Sequence, residues 1–178
     1  MTGTVGNLVW SKDPEELRKL NEQRLRDLGV DDATAKKFLL NNAITLTSQT
    51  RLIAALHAAR VPGCGDYVAS AAATRSEREA WFFVESAELL QRLHALTPVT
   101  SVLTDSRTLV AKTSGGAVAL LPLDWVRSTG EAASTLRELA DRARKELGAK
   151  ALRLRVTGRI TDRAARDFAT IGWMPLKP

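Results

Sequence analysis

The sequence predicts an α+β protein, with a helical half over residues 1–97 followed by a smaller mixed β-β-β-α-β-α lobe over residues 98–178. Two observations carry this prediction. Up to position 96, apolar residues recur every three or four positions between helix-capping residues, as in amphipathic helices. From Pro98 onward, short apolar runs alternate with turns that contain glycine or aspartate, as in a meander of strands. We expect the two parts to form one compact unit.

Five helices are predicted in the first half. Asp13 and Pro14 open the first helix, since aspartate caps helix N-termini and proline suits the first turn. Gly29 is expected to end it. The inward stripe of this helix is predicted to contain Leu17, Leu20, Arg24 and Leu28. The other helices are expected at about 32–42, from Thr47 or Ser48 to about 59, at about 66–73, and from Ser76 to a point before Pro98.

The second half predicts four strands and two helices. Residues 99–104, 108–113 and 117–121 form short apolar runs, and the turns between them predict an antiparallel meander. A helix from about Thr129 to Leu147 follows, with Gly148 as its stop. Residues 152–156 alternate leucine or valine with arginine, which is typical of a half-buried strand. Thr161 caps the last helix, whose inward residues are predicted as Ala165, Phe168 and Ile171.

The net charge of +6 is concentrated in the last third of the chain. Residues 127–178 carry twelve basic and six acidic side chains, whereas residues 1–60 have a net charge of +2 and residues 61–126 one of −2. If the protein has a polyanionic partner, we therefore expect that partner to contact residues 127–178.

The composition excludes several classes of protein. Cys64 is the single cysteine, so intramolecular disulfides and multi-cysteine metal sites are ruled out. No uncharged stretch reaches the roughly 18 residues of a membrane-spanning helix, and the first twelve residues do not form a signal peptide. We expect no membrane span, no cofactor and no bound metal.

Several short segments carry a resemblance to a known family. They are Asp13-Pro14-Glu15-Glu16-Leu17, Gln49-Thr50, Phe82-Phe83 followed by Ala87-Glu88-Leu89, and Val156-Thr157-Gly158-Arg159 through Ile171-Gly172-Trp173. Over roughly residues 4–175 the chain resembles the C-terminal region of a bacterial, mostly proteobacterial, family of unknown function. The resemblance implies a longer native protein and transfers no catalytic residue. We expect a cytoplasmic protein by default, and a periplasmic or exported one if a longer precursor exists.

Cysteine and histidine are the first candidates for chemistry. Cys64 lies between Gly63 and Gly65 in a predicted accessible loop, where the next helix N-terminus would stabilise a thiolate; the alternative is a small structural residue. The Gly63-Cys64-Gly65 run is not a dinucleotide fingerprint, because Val68 stands where the third glycine is needed. His57 and His94 have no metal-ligating partner at helical spacing. No catalytic residue is assigned.

A helix-turn-helix is a further hypothesis for the predicted second and third helices. In that arrangement Ser48, Gln49 and Arg51 would reach base edges. The alternative is an ordinary helical hairpin. Asp31 and Asp32 favour the hairpin, since they lie beside the segment and would repel phosphate groups.

The basic C-terminal lobe predicts a candidate surface for polyanions. Arg153, Arg155 and Arg159 would share one side of the penultimate strand if its pleat continued past Gly158. The polar face of the preceding helix adds three more cations, Arg137, Arg144 and Lys145. The alternative is a solvated face. The aromatic residues within 127–178, Phe168 and Trp173, are expected to pack inside, which leaves no stacking platform for single strands.

A candidate ligand site follows from topology. If the strands near 117–123 and 151–157 are parallel, their C-terminal ends meet at one edge, where open α/β sheets bind ligands. Two helix N-termini beside that edge would hold an anion. The residues expected there are Asp124, Arg127, Ser128, Thr157, Arg159 and Thr161. The alternative is that Ser128 and Thr161 cap helices and that Asp124 and Arg127 form a surface pair.

Three functions remain open at this point. The leading hypothesis is a non-enzymatic binding or scaffold module of a larger bacterial protein or assembly, with another protein as partner. The first alternative is binding of a nucleic acid or an acidic partner through the basic lobe. The second is a small-ligand or enzymatic site at the strand ends near Asp124 and Arg159. The oligomeric state is open.

Overall fold

The computed structural model describes residues 13–105 and 107–176 of the chain. Within them the elements follow in the order α1 (Pro14–Asp27), α2 (Asp32–Leu39), α3 (Leu46–Ala59), α4 (Cys64–Ala71), α5 (Glu77–Leu96), β1 (Val99–Asp105), β2 (Thr108–Thr113), β3 (Gly116–Leu121), β4 (Trp125–Val126), α6 (Gly130–Leu147), β5 (Leu152–Val156), β6 (Arg159–Ile160), α7 (Asp162–Ile171) and β7 (Trp173–Pro175). The α+β class, with helices first and strands after them, is confirmed.

A five-stranded sheet is the centre of the described structure, with strand order β1-β2-β3-β5-β7. The meander β1-β2-β3 is antiparallel, as predicted. β5 pairs parallel to β3, and β7 pairs parallel to β5. A second, separate pair joins β4 to β6 in parallel. The sequence pattern does not predict β4, β6 or β7, which have only two or three residues each.

The two faces of the sheet belong to two different hydrophobic cores. Leu109, Ala111, Val118 and Leu120 face the N-terminal helices and are buried with them. Their neighbours along β2 and β3 face the opposite way, because side chains alternate along a strand, and pack against α6 and α7. Residues 109–121 therefore contribute to the core of the helical half and to that of the C-terminal lobe.

Local capping determines where the helices begin and end. Asp13, Ser76 and Thr161 cap α1, α5 and α7 as predicted, each accepting backbone N–H groups of the first turn. Gly148 ends α6 in the left-handed conformation with φ +61°. α3 begins earlier than predicted, because Thr45 rather than Thr47 or Ser48 is its cap.

The buried face of α1 differs from the predicted stripe. Leu17, Asn21 and Leu25 are its buried residues, and Leu20 is only half-buried. Asn21 is turned inward because its side-chain amide donates to the Thr50 hydroxyl of α3 at 3.0 Å. A buried polar residue does not appear in a hydrophobic pattern. The predicted stripe therefore follows a different face of α1 from the one that is buried.

Two shorter helices also depart from the predicted limits. α2 ends at Leu39, so its last predicted turn is absent. α4 begins at Cys64, directly after Gly63, which has a φ of +94°.

The buried face of α7 also differs from the prediction. Its buried residues are Ala164 and Phe168, whereas the predicted Ala165 is half-buried.

Trp173 connects the last strand to the second core. It follows Gly172, which ends α7 with a φ of +106°. Its ring is fully buried, and its indole N–H donates to the Leu136 carbonyl of α6 at 2.7 Å. No helix within residues 13–105 and 107–176 is long and apolar enough to cross a membrane.

Candidate functional site

The parallel strands β3 and β5 end at the same edge of the sheet, as the strand-end hypothesis requires. The two segments that follow them run side by side. Gly158 N–H donates to the Leu123 carbonyl at 3.0 Å, and Arg159 N–H donates to the Asp124 carbonyl at 2.9 Å. A Cβ atom on Gly158 would lie 2.1 Å from that Asp124 oxygen, so only glycine fits this close approach.

The six residues predicted at this edge lie on these two neighbouring segments and on the turns into α6 and α7. The side chains of Asp124, Arg127, Thr157 and Arg159 are exposed. The hydroxyls already have protein partners: Thr157 donates to the Leu123 carbonyl at 3.3 Å, and Thr161 accepts Ala164 N–H as a cap. Ser128 donates to the Asp167 carboxylate of α7, and Thr129, one residue later, caps α6. Ligand binding by these six residues stays a prediction.

The structure divides the predicted basic surface in two. Arg153 and Arg155 pair in register with Val118 and Leu120, so they lie on the sheet face that contacts the N-terminal helices. α6, with Arg137, Arg144 and Lys145, packs on the opposite face. Arg144 is also engaged, since it donates to the Ile171 carbonyl at 3.1 Å and lies 3.6 Å from Asp141.

Arg159 does not extend the row of Arg153 and Arg155. β5 ends at Val156, and Arg159 belongs to β6, which pairs with β4 outside the main sheet. The expectation that the pleat continues past Gly158 is therefore wrong. The physical reason is the close contact of Gly158 with Asp124, which moves the chain to a new partner strand.

The helix-turn-helix interpretation is contradicted. Gln49 is buried, and its side-chain amide donates to the carbonyls of Leu39 and Ile44 at 3.0 and 3.1 Å. Ser48 is also buried, and Arg51 pairs with Glu88 of α5 at 2.8 Å. The side chains that would read bases are thus used inside the fold, and the segment is a helical hairpin.

Cys64 is not in an accessible loop, because α4 begins at this residue and turns its side chain into the N-terminal core. The side chain is 1% exposed. Burial raises the pKa of the Cys64 thiol above its ordinary value, and the backbone hydrogen bond with Val61 opposes this only in part. A neutral buried thiol is inert, which agrees with the alternative of a structural residue.

We expect the Cys64 thiol of the native protein to react at least about a hundredfold more slowly with a chromogenic aromatic disulfide than the unfolded thiol does. The rate of colour release with and without guanidinium chloride measures this directly, since no other cysteine contributes. Comparable rates in the two solutions would show that the thiol is accessible and contradict its burial.

The two histidines have structural partners. His57 lies 3.2 Å from the Asp27 carboxylate, and the pKa of Asp27 is lowered by hydrogen bonds from Gln23 and then from His57. His94 accepts the Val99 backbone N–H at 3.2 Å, where α5 leads into β1. In the part of the chain that the structure describes, no three His, Cys, Asp or Glu residues are grouped to hold a metal ion.

An open groove of about 470 Å³ lies beside the first two turns of α5 and the segment after β3. Its apolar lining includes Trp81, Phe82 and Leu123. The groove is also lined by charged residues of both signs, among them Arg78, Glu85 and Asp124. We call this surface the Trp81 groove. Asp124 is one of the residues predicted at the strand ends. No sequence signal marks Trp81, because α5 contains three successive aromatic residues, Trp81 to Phe83, of which only one is well exposed.

A second cleft, of about 430 Å³, lies between the later turns of α5 and the ends of β5 and β7. Its lining includes Leu89 and Arg92 of α5, Arg155 of β5, and Thr157 and Leu176. We call it the arginine cleft. Of the six residues predicted at the strand ends, it contains Thr157 alone. Arg92 was not predicted, since nothing along α5 indicates that it approaches β5.

Comparison of the chain with protein-family models, with curated proteins and with solved structures found no match.

Proposed function

We propose that this protein is a non-enzymatic binding module whose partner is a segment of another protein, held in the Trp81 groove. The observation that carries the proposal is a large aromatic side chain that is 49% exposed and yet fixed in position. Tryptophans at the centre of a contact surface commonly dominate the binding energy of protein complexes.

The position of Trp81 is maintained by α3. The guanidinium of Arg51 lies 4.5 Å from the centre of the Trp81 ring, and the Glu88 carboxylate holds Arg51 at 2.8 Å. A cation over an aromatic face is an attractive contact. Because the ring is already ordered before binding, a partner loses less conformational entropy in meeting it.

The surroundings of Trp81 fit a polypeptide better than a nucleic acid. Leu123, which lines the groove, is 37% exposed, and Trp125, two residues later, is 52% exposed. Arg78 lines the groove together with Glu85 and Asp124, so phosphate groups would meet carboxylates there. A protein segment with apolar side chains between charges of both signs complements this surface.

The test uses three forms of the tagged chain, residues 1–178, in extracts of the organism that encodes it. We expect the unmodified chain and Leu96→Ala to retain a stoichiometric protein partner, and Trp81→Ala to bind the purified partner at least about tenfold more weakly. Leu96 is the matched control, since it is also on α5, is 81% exposed and does not line the groove. Titration calorimetry with the purified partner gives the affinities.

Two results would overturn the proposal. One is the absence of any stoichiometric protein partner. The other is a partner that Trp81→Ala binds as tightly as the unmodified chain does. Circular dichroism of each variant confirms that the fold is kept, because Trp81 is half-exposed and its removal leaves no buried cavity.

A further inference from the structure

We propose that the arginine cleft is a binding site for a small organic phosphate, with Arg92 and Arg155 as the ligands of the phosphate group and an apolar wall for the organic part. Of the residues that the structure describes, the arginine cleft shares only Thr157 with the Trp81 groove, and the proposal does not depend on the proposed function.

The topology brings the two arginines to one place. Arg155 pairs in register with Leu120 of β3, a residue of the N-terminal core, so its side chain lies on the α5 side of the sheet. Leu89 and Arg92 are one turn apart on α5, and both line the cleft. Pro175, the last residue of β7, and Leu176, which follows it, close the other side. The cleft thus lies where α5 meets the sheet beyond β3.

Neither arginine has a partner of opposite charge among the described residues, which distinguishes them from several other arginines of the protein. Arg51 pairs with Glu88, Arg107 with Glu79 and Arg142 with Glu146. The described residues that line the cleft include no Asp or Glu. Arg155 is half-buried, and the described lining of the cleft offers its guanidinium no contact with an opposite charge. An anion in the cleft would supply that contact.

The shape and lining of the cleft select the class of anion. Guanidinium groups present a planar set of donors that matches phosphate oxygens and forms paired hydrogen bonds with them. Leu89, Ile160 and Leu176 give the cleft an apolar wall. A volume of about 430 Å³ falls in the lower part of the range for small-molecule sites. A bare phosphate ion would leave that wall in contact with water, whereas an organic phosphate covers it.

The test titrates the full chain with phenyl phosphate, inorganic phosphate and phenol, followed by two-dimensional NMR. We expect saturable millimolar or tighter binding of phenyl phosphate, with the largest shifts at the amides of residues 155–158. Inorganic phosphate and phenol should each bind at least about tenfold more weakly, because each lacks one half of the recognised structure.

A matched pair of variants locates the site. Arg92→Gln combined with Arg155→Gln should weaken phenyl phosphate binding at least about tenfold. Arg137→Gln combined with Arg153→Gln removes the same charge from exposed positions outside the cleft, and its affinity should stay within about twofold of the unmodified chain.

Three results would overturn the inference: no saturable binding of phenyl phosphate, equal losses in the two double variants, or equal affinity for phenyl phosphate and phenol. Binding of a DNA oligonucleotide that displaces phenyl phosphate and contacts Arg153 as well would replace the site with an extended polyanion surface. None of these results bears on Trp81→Ala, so the inference and the proposed function fail separately.

Discussion

Trp173→Ala is expected to lower the free energy of unfolding by about 3–5 kcal/mol. The ring is fully buried in the core that α6 and α7 share with the sheet. Its removal leaves a large cavity, and the surrounding structure fills such cavities only partly. The Leu136 carbonyl of α6 also loses the indole N–H that reaches it at 2.7 Å, so the variant lacks one buried hydrogen bond in addition.

Denaturation with urea measures this loss, and thermal unfolding should show a melting temperature lower by about 10 °C. Trp125→Ala is the control, because it deletes the same group at a position that is 52% exposed, and its effect should stay below about 1 kcal/mol. Trp173→Phe should lie between the two, since it keeps most of the volume and loses the N–H donor. Equal losses for Trp173→Ala and Trp125→Ala would contradict the assigned role of Trp173.

Gly63→Ala is expected to cost about 2–4 kcal/mol, from backbone strain and from overpacking together. Gly63 has a φ of +94°, where an L side chain is strained, and an added Cβ would lie 2.1 Å from the Val102 carbonyl oxygen of β1. That strand cannot move away freely, because Val102 N–H donates to the Pro62 carbonyl at 2.8 Å. The substitution therefore forces α4 and β1 apart.

Gly130→Ala is the matched control for this substitution. Gly130 is the first residue of α6, its φ is not positive, and no atom lies within 4 Å of an added Cβ. Alanine at this position should change the free energy of unfolding by less than about 1 kcal/mol. The change can be a stabilisation, because alanine has a better helix propensity than glycine. The Val102 amide should also exchange its hydrogen faster in Gly63→Ala alone. If the two variants were equally stable, the close approach at Gly63 would have no energetic weight.

The parts of the fold that local chemistry controls were predictable from the sequence. Asp13, Ser76 and Thr161 lie where the capping rules place them, and the turns at residues 114–115 and near 107 separate the strands of the meander. The pairs β4–β6 and β5–β7 were not predicted, because a strand of two or three residues is too short to show an alternating pattern. Contacts from distant parts of the chain determine these strands.

For the candidate sites, one feature follows from alternation along a strand and another does not follow from any local pattern. The position of Arg155 opposite α6 follows from the sequence, since α6 covers the face that carries Leu152 and Leu154 and alternation turns the arginines away from it. The expectation that the arginines of β5 and α6 share one surface is therefore wrong. The approach of Arg92 to Arg155, in contrast, depends on how α5 crosses the sheet. No local pattern along α5 encodes that crossing.

The position of Trp173 also determines when each core can close during synthesis. The indole N–H of Trp173 donates to the carbonyl of Leu136, a residue that is synthesised 37 positions earlier in the chain. Buried members of the first core, in contrast, extend no further than Leu120. The N-terminal helices can therefore pack on one face of the meander while β5, α7 and β7 are still being made. The opposite face stays incomplete until residue 173 leaves the ribosome, so the buried residues of the first core can pack before the second core is complete.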